Sequence, residues 1–199
     1  QELPPGALEV IVADGRSDDG TRALLDRLGP SMPALRVVDN PGVFAPSGFN
    51  AGLRVARGRF VAILGSHATY SPDYLRRAVE LLARRPDVDV VGGAIAVEGE
   101  SRVERAVAAA FHHPFSVGGA RWHDPTYEGA TDTVFGAVYR REVFERIGPF
   151  DEALVRNQDD ELNLRLTRSG GLIWHTPAMR SRYVPRGTLR QLFAQYRQY

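Results

Sequence analysis

Short apolar runs alternate with helix-like patterns through the first half of the chain, and no other feature restricts its fold as strongly. The apolar runs predict strands at Glu9–Asp14, Leu35–Asn40, Phe60–Gly65 and Asp89–Val97. Helical patterns lie between them, near Thr21–Leu28, Ser47–Ala56 and Pro72–Arg85. Strands that alternate with helices are typical of βα units that feed a mostly parallel sheet. The sequence therefore predicts an α/β fold.

The second half of the chain is less regular. It predicts a helix over Ser101–His112, a glycine-rich and aromatic loop over His113–Ala130, a strand over Thr133–Arg140, helices over Arg141–Ile147 and Asp159–Ser169, a strand over Leu172–His175 and a helical tail over Thr188–Tyr199. One side of the tail helix carries Leu189, Leu192, Phe193 and Tyr196. Such a stripe is more often buried in a core or against a partner than inserted in a membrane.

Composition narrows the class of protein. The 199 residues, 43% of them hydrophobic, suffice for one substantial core and predict a single domain. The 25 basic residues are all Arg and nearly balance 24 acidic residues, so the chain carries no strong field that would attract nucleic acid. The absence of Lys is typical of GC-rich bacterial genes and indicates a bacterial source. Cysteine is also absent, which excludes disulfides and thiolate metal sites.

Three adjacent carboxylates, Asp159, Asp160 and Glu161, begin a predicted helix that Leu162, Leu164 and Leu166 are expected to anchor. Acidic groups in a first helical turn are favoured by the helix dipole, so a well-capped helix explains the cluster without any chemistry. A clustered set of carboxylates also suits general acid–base work. This segment alone leaves both interpretations open.

Polar groups follow two of the predicted strands. Asp14 ends the first, and Gly65, Ser66 and His67 follow the third. Ligands of open α/β sheets bind beyond the carboxyl ends of strands, so we expect both sets to face one cleft. The loop after Asp14 holds Asp19, which either caps the next helix or contacts a ligand.

Four segments, in order along nearly the whole chain, resemble one family. They are EVIVADGRSDDGT at residues 9–21, PSGFNAGLRVARGRF at 46–60, GAVYRREVFERIGPFDE at 136–152 and NQDDELNLRL at 157–166. The chain resembles family 2 glycosyltransferases of the nucleotide-diphospho-sugar transferase (GT-A) fold. It is most similar to the succinoglycan-type exopolysaccharide glycosyltransferases, whose catalytic helix likewise begins Asn-Gln-Asp-Asp-Glu-Leu.

The resemblance implies an inverting glycosyltransferase of polysaccharide synthesis. It would move a sugar from a nucleoside diphosphate donor, expected to be a UDP-sugar, to a glycan or lipid-linked glycan. Residues 1–97 would form the nucleotide-binding half and 98–199 the acceptor and catalytic half. The roles implied are a catalytic base at Asp159, nucleotide contacts at Asp14, Asp19, Asn50 and Ser66, acceptor contacts at Trp122, Asp132 and Asp160, and a metal ligand at His67.

The chain departs from the family pattern after its third predicted strand. Family members carry an acidic residue there that helps to hold Mg²⁺ or Mn²⁺, whereas this chain has Gly65. Either His67, the diphosphate and another acid hold the cation, or no metal binds and activity is weakened or lost. Arg180, Arg182, Arg186 and Arg190 form a basic segment that either contacts the diphosphate or is a solvated surface.

The family usually has a strand and helix before EVIVAD, and the chain lacks the usual first strand as written. Two alternatives to an active enzyme stay open: a catalytically silent nucleotide-sugar-binding or scaffolding homologue, and a general interaction module with no nucleotide affinity. That strand is central in the family's sheet, and its loss would expose two long hydrogen-bonding edges. We therefore expect either a shortened or incomplete chain, or an intermolecular replacement for the strand in a homo-oligomer.

The expected location is the cytoplasm, with the inner face of the membrane as an alternative. No apolar run approaches the roughly 18 residues that span a bilayer, and the first residues lack a basic and apolar leader. The sequence as written therefore predicts a soluble protein. Family relatives often act at the membrane, so membrane association in the native context stays open.

Overall fold

The computed structural model describes residues 1–111, 113, 121 and 124–197. In chain order these residues form β1 (Val10–Asp14), α1 (Thr21–Leu28), a 3-10 turn (Gly29–Ser31), β2 (Leu35–Asp39), α2 (Ala45–Val55), β3 (Phe60–Ala62), β4 (Ala68–Tyr70), α3 (Tyr74–Arg84), β5 (Val90–Val97), α4 (Arg102–Phe111), β6 (Gly129–Thr131), β7 (Phe135–Arg140), α5 (Arg141–Ile147), α6 (Gln158–Arg168), β8 (Ile173–Tyr183) and α7 (Leu189–Tyr196). None of the described helices combines the length and the apolar character needed to cross a bilayer.

These elements divide between two compact units. The Asp14 unit comprises Leu3–Val61 and Tyr139–Gly170, and the His67 unit comprises Gln1–Glu2, Ala62–Val138 and Gly171–Tyr199. The units do not coincide with the predicted halves at residues 1–97 and 98–199. The reason is that α5 and α6 join the first strands and helices of the chain instead of the rest of the second half. Strands β3 and β7 each run from one unit into the other.

The Asp14 unit is built on a parallel strand pair and an aromatic cluster. Strands β1 and β2 pair from Val10 opposite Leu35 to Asp14 opposite Asp39, and α2 packs on β1. Phe150 lies between two other rings, with centroids 5.1 Å from Phe49 on α2 and 5.9 Å from Phe144 on α5. This cluster fixes the segment that leads into α6.

Helix α6 buries one side in the same unit. Leu162 and Leu166, one turn apart, are 0% exposed, whereas Leu164 is 49% exposed. Each buried leucine contributes about 1.5–3 kcal/mol to the free energy of unfolding. The expectation that Leu164 also anchors the helix was wrong, because residues two apart lie on nearly opposite sides of a helix.

Besides the two-stranded β1–β2 sheet, the described residues form a six-stranded sheet. Its strand order is β3-β7-β5-β8-β4, and β6 also pairs with β8. Within the His67 unit, β5 and β8 are parallel, while β4 and β6 run antiparallel to β8. The predicted α/β architecture is confirmed. The three-residue strands β4 and β6 were not predicted, because so short a segment shows no period.

Strand β8 is longer than the sequence indicated. The prediction ended at His175, but the strand continues through Pro177, which cannot donate a backbone hydrogen bond. In the structure a bulge absorbs the proline: the partner of Gly93 is Thr176, and that of the next residue, Ala94, is Arg180. Buried Met179 packs directly on Gly93, where a Cβ would lie only 2.0 Å from the Met179 carbonyl oxygen. The bulge therefore depends on a glycine in the neighbouring strand.

Candidate active site

Asp14 lies at the carboxyl end of β1 with only 8% of the residue exposed. The Ser17 backbone N–H donates to one carboxylate oxygen at 3.3 Å, and Arg22 donates to the other at 3.3 Å. Arg22 also reaches Asp39, the residue opposite Asp14 on β2, at 2.9 Å. Hydrogen bonds from Ser17, followed by the Arg22 guanidinium, hold the pKa of Asp14 below its ordinary value. The Asp14 carboxylate is thus charged and fixed in orientation.

Asp19 organises the loop that follows. One carboxylate oxygen accepts the Thr21 hydroxyl at 2.6 Å and the Thr21 N–H at 3.0 Å, and α1 begins at Thr21. The Thr21 hydroxyl is the main cause that lowers the pKa of Asp19. Asp19 thus orders the loop just before α1, whose N-cap residue is Gly20. Its nucleotide contact stays a prediction.

Asn50 on α2 is 5% exposed, and its amide is engaged within the Asp14 unit. The amide nitrogen donates to the Phe150 carbonyl and to Glu152, each at 2.9 Å, and the amide oxygen accepts the Phe150 N–H at 3.0 Å. Both donors and the carbonyl are thereby used. In the structure Asn50 fixes the segment before α6. Its nucleotide contact stays a prediction.

The start of α6 is clamped by Arg165. Its guanidinium pairs with Glu161 one turn earlier, at 2.8 Å, and donates to the carbonyl oxygens of Ile147 and Pro149, the latter at 2.8 Å. Asn157, immediately before the helix, takes a left-handed conformation with φ of 57°. The chain therefore makes a sharp turn into α6 and is held there.

The three carboxylates of α6 consequently differ. Glu161 is bound to Arg165, whereas Asp159 and Asp160 are exposed. The charge of Asp159 is felt at Tyr139, a buried residue on β7: burial first, and the Asp159 charge second, raise the pKa of the Tyr139 hydroxyl. Asp159 therefore sits on a rigid helix start, open to solvent and close to the end of β7.

The predicted site residues of the other unit are exposed. Gly65, Ser66 and His67 form the turn that enters β4, where the Gly65 N–H donates to the Tyr70 hydroxyl at 3.0 Å. Asp132 follows β6 and accepts the Thr131 hydroxyl at 3.2 Å. Trp122 lies outside the described residues. The structure thus brings Asp14, Asp19, Asn50, Asp159 and Asp160 into one unit, and Ser66, His67 and Asp132 into the other.

Comparison with known proteins establishes the family. The profile of glycosyl transferase family 2 matches residues 1–148. The chain belongs to this family. Succinoglycan biosynthesis protein ExoA of Rhizobium meliloti (strain 1021) is 33% identical over 197 residues, which cover 98% of the chain and 59% of ExoA. The chain therefore spans somewhat more than half the length of this family 2 relative.

Solved structures agree on the fold. Mannosyltransferase PcManGT from Pyrobaculum calidifontis, solved with GDP-Man and Mn²⁺, superposes with a TM-score of 0.67 at 25% identity, over 99% of this chain and 53% of that one. TarS 1–349 of S. aureus, solved with UDP-GlcNAc, gives a TM-score of 0.67 at 17% identity, over 94% of this chain and 52% of that one. The family 2 chain thus has the GT-A fold that the sequence predicted.

The described residues around Gly65 in this family 2 chain do not supply the carboxylates that a divalent cation prefers. Among the residues that the structure describes, no three His, Cys, Asp or Glu side chains come together in a metal-binding group. A Cβ built at Gly65 would meet no atom within 4 Å, so there is room for an acidic side chain that the chain does not supply. His67 offers one imidazole, whereas Mg²⁺ and Mn²⁺ favour carboxylate oxygen. The metal role of His67 stays a prediction, and among the described residues no group of three ligands accompanies it.

Three contributors to this family 2 site were missed from the sequence. Arg22 donates a hydrogen bond to Asp14, and Arg165 binds Glu161 at the start of α6. The charge of Asp159 helps to raise the pKa of Tyr139. The i,i+4 spacing of Glu161 and Arg165 was a readable signal for one of these pairs. Nothing local links Arg22 to Asp14 or Tyr139 to Asp159, because the hydrogen bond of the first pair and the electrostatic interaction of the second join elements that meet only in the folded unit.

Proposed function

We propose that this chain is the donor-binding and catalytic part of an inverting glycosyltransferase. It transfers a sugar from a nucleoside diphosphate donor to a glycan or lipid-linked glycan during polysaccharide synthesis. One observation carries the proposal: the same compact unit holds a fixed, charged Asp14 at a strand end and an exposed Asp159 on a clamped helix start. Membership of family 2 and the likeness to a succinoglycan biosynthesis protein support it.

In the proposed reaction Asp159 is the general base. Its carboxylate accepts the proton of the acceptor hydroxyl as that oxygen bonds to the anomeric carbon, and the bond from the anomeric carbon to the diphosphate oxygen breaks on the opposite face. The configuration at the anomeric carbon is thereby inverted. The clamp by Arg165 and Glu161 keeps the base in place, which matters because a displacement of about 1 Å costs roughly 100-fold in rate. Asp160, exposed beside it, contacts the acceptor hydroxyls.

Asp14 supports nucleotide binding in this proposal. A buried, charged carboxylate at the end of a strand offers two acceptor oxygens to the N–H and hydroxyl groups of a nucleoside. The proposed donor is a UDP-sugar. GDP is the competing nucleotide, since the mannosyltransferase PcManGT was solved with GDP-Man. The donor contact expected of Ser66 and the acceptor contacts expected of Asp132 and Trp122 stay predictions from the family resemblance.

A second function is favoured by Gly65. The missing acid after β3 is the change expected in a homologue that binds nucleotide sugars, or assembles with an active transferase, without catalysing transfer. The exposed Asp159 and its clamped helix favour the enzyme, because a silent relative has no need of a base held in the open.

One set of measurements separates the two functions. We expect calorimetry to show binding of UDP or GDP, and a nucleotide-release assay to show turnover that the substitution Asp159→Asn abolishes. The matched control is Glu145→Gln, an exposed carboxylate on α5 of the same unit, which should keep full turnover. Nucleotide binding without any turnover would support the silent homologue, and no nucleotide binding would contradict both.

A further inference from the structure

The turn at Gly65–His67 lies beside the end of β8. Strand β4, which the turn enters, pairs antiparallel with β8, with Ala68 opposite Tyr183 and Tyr70 opposite Ser181. The start of β4 therefore adjoins the last residue of β8 and the segment that follows it. In family 2 this turn carries the acid that was expected to hold a cation, so what the neighbouring segment offers in its place is of direct chemical interest.

The exposed face of β8 is rich in arginine. Buried Met179 and Ser181 alternate with exposed Arg180 and Arg182, and the alternation continues beyond the strand to exposed Arg186. Two carboxylates lie close to β8 and the segment after it. Glu98 pairs with Arg182 at 2.9 Å, and a Cβ built at Gly187 would lie 2.9 Å from Glu104 Oε1.

Position along β8 distinguishes these arginines. Arg180 lies at the far end of β4, where its carbonyl accepts the Ser71 N–H at 3.0 Å. Arg182 is opposite Thr69 and already engaged by Glu98. Arg186 follows Tyr183 by three residues, on the segment that leaves β8 where the Gly65–His67 turn enters β4. Of the three arginines, Arg186 is therefore the one on the segment that follows the Ala68–Tyr183 pair.

A leaving diphosphate requires opposite charge. A divalent cation held by a carboxylate is one way to supply it, and a guanidinium that bonds two phosphate oxygens at once is another. The turn offers Gly65, with open space where an acid would stand, and the neutral hydroxyl of Ser66. The residues of the turn therefore suit charge compensation by a guanidinium better than by a divalent cation held on a carboxylate.

Building on the proposed function, we infer that this chain binds the donor's diphosphate without a resident divalent cation, and that Arg186 supplies the positive charge beside Ser66. Arg is suited to this task because its guanidinium is always charged and its planar fork matches phosphate oxygens. Binding then depends on a protein cation in place of a metal.

The first test measures the calorimetric affinity for UDP and GDP in EDTA and again in Mn²⁺. We expect the affinity of the nucleotide that binds to change by less than about twofold, since no carboxylate of the turn holds the metal. A matched variant, Gly65→Asp, adds the acid at an exposed position with room for it, and should create a clear gain of affinity in Mn²⁺ over EDTA. Wild-type binding that requires Mn²⁺ would overturn the inference and leave the proposed function intact. If neither nucleotide binds under any condition, the proposed function itself fails.

The second test concerns Arg186. Arg186→Ala should weaken nucleoside diphosphate binding by roughly 10- to 100-fold, the range for loss of a charge-assisted contact. Binding of the nucleoside alone should change by less than about twofold, because the lost contact is to phosphate. Arg180→Ala, on the same strand face but at the other end of β4, is the control and should leave both affinities unchanged. Equal losses for nucleoside and nucleoside diphosphate, or equal effects of the two substitutions, would remove Arg186 from the diphosphate site.

Discussion

The two aspartates proposed for the site, Asp14 and Asp159, share one unit but differ in almost every physical respect. Asp14 is nearly buried, hydrogen-bonded on both oxygens and held charged by Ser17 and Arg22. Asp159 is exposed, and the helix beneath it is what is held. A group that recognises a ligand of fixed shape gains from being fixed itself. A group that must receive a proton from an incoming hydroxyl has to stay accessible. The contacts that position Asp159 are therefore made by its helix, through Arg165, and not by its own carboxylate.

The largest effect should come from Asp159→Asn. Removing the base is expected to lower turnover by roughly 100- to 10,000-fold, the usual contribution of general base catalysis. Nucleotide affinity should change little, because Asp14, not Asp159, is proposed to bind the nucleotide. Release of nucleoside diphosphate and calorimetric titration measure the two quantities separately. Should affinity fall as steeply as turnover, the division of labour between the two aspartates would be wrong.

The next largest effect tests whether the buried side of α6 holds the helix that carries Asp159. Leu162→Ala should lower the free energy of unfolding by about 2–5 kcal/mol, because it opens a cavity under α6. Leu164→Ala removes the same side chain from the exposed side of the same helix and should cost less than about 0.5 kcal/mol. Urea unfolding of the two variants gives the comparison directly. Similar losses would mean that α6 is not anchored on one side as the structure shows.

The sequence predicted more of the elements than of the contacts between them. The bounds of α1 and α5 were predicted to the residue, since strong periodicity and turn residues mark them. The pattern also located Asp14 at a strand end and Asp159 in a first helical turn. It assigned Asn50 a nucleotide contact, which stays a prediction, but it did not predict the hydrogen bonds that Asn50 makes inside the unit. Its partners, Phe150 and Glu152, lie 100 and 102 residues away, and such contacts have no local signature.

The exposure of side chains along α6 was also not predicted correctly. Leucines at 162, 164 and 166 look equivalent as composition, and only the helical period separates 164 from the other two. Strand β8 was predicted too short for a different reason. A bulge that packs against Gly93 lets the strand continue past Pro177, and nothing near Pro177 in the sequence indicates that bulge. Local rules therefore located the candidate site, while its internal bonding depended on packing between distant segments.

A smaller effect is expected at the recognising carboxylate. Asp14→Asn keeps the shape and removes the charge, so nucleotide affinity should fall by roughly tenfold, the value of one charge-assisted hydrogen bond. Asp39→Asn changes the other carboxylate that Arg22 contacts, at an exposed position, and is the matched control. Calorimetric titration of both variants with UDP and GDP measures the difference. Equal losses would indicate that the pair acts through Arg22 and that neither carboxylate touches the nucleotide.

The smallest effect is a pH dependence that only the fixed aspartate should show. Because Ser17 and Arg22 lower the pKa of Asp14 in the folded chain from its ordinary 3.8, this carboxylate stabilises the fold fully above that pH. The stabilisation is lost as the pH falls through the lowered folded pKa, where the native carboxylate takes up its proton. The stability difference between wild type and Asp14→Asn should therefore be constant from pH 7 to about 5 and shrink below about 4. Urea unfolding across that range, with Arg22→Ala and the double variant, tests the cause. A coupling between Asp14 and Arg22 that persists unchanged at pH 3 would show that the pair is held by shape and not by charge.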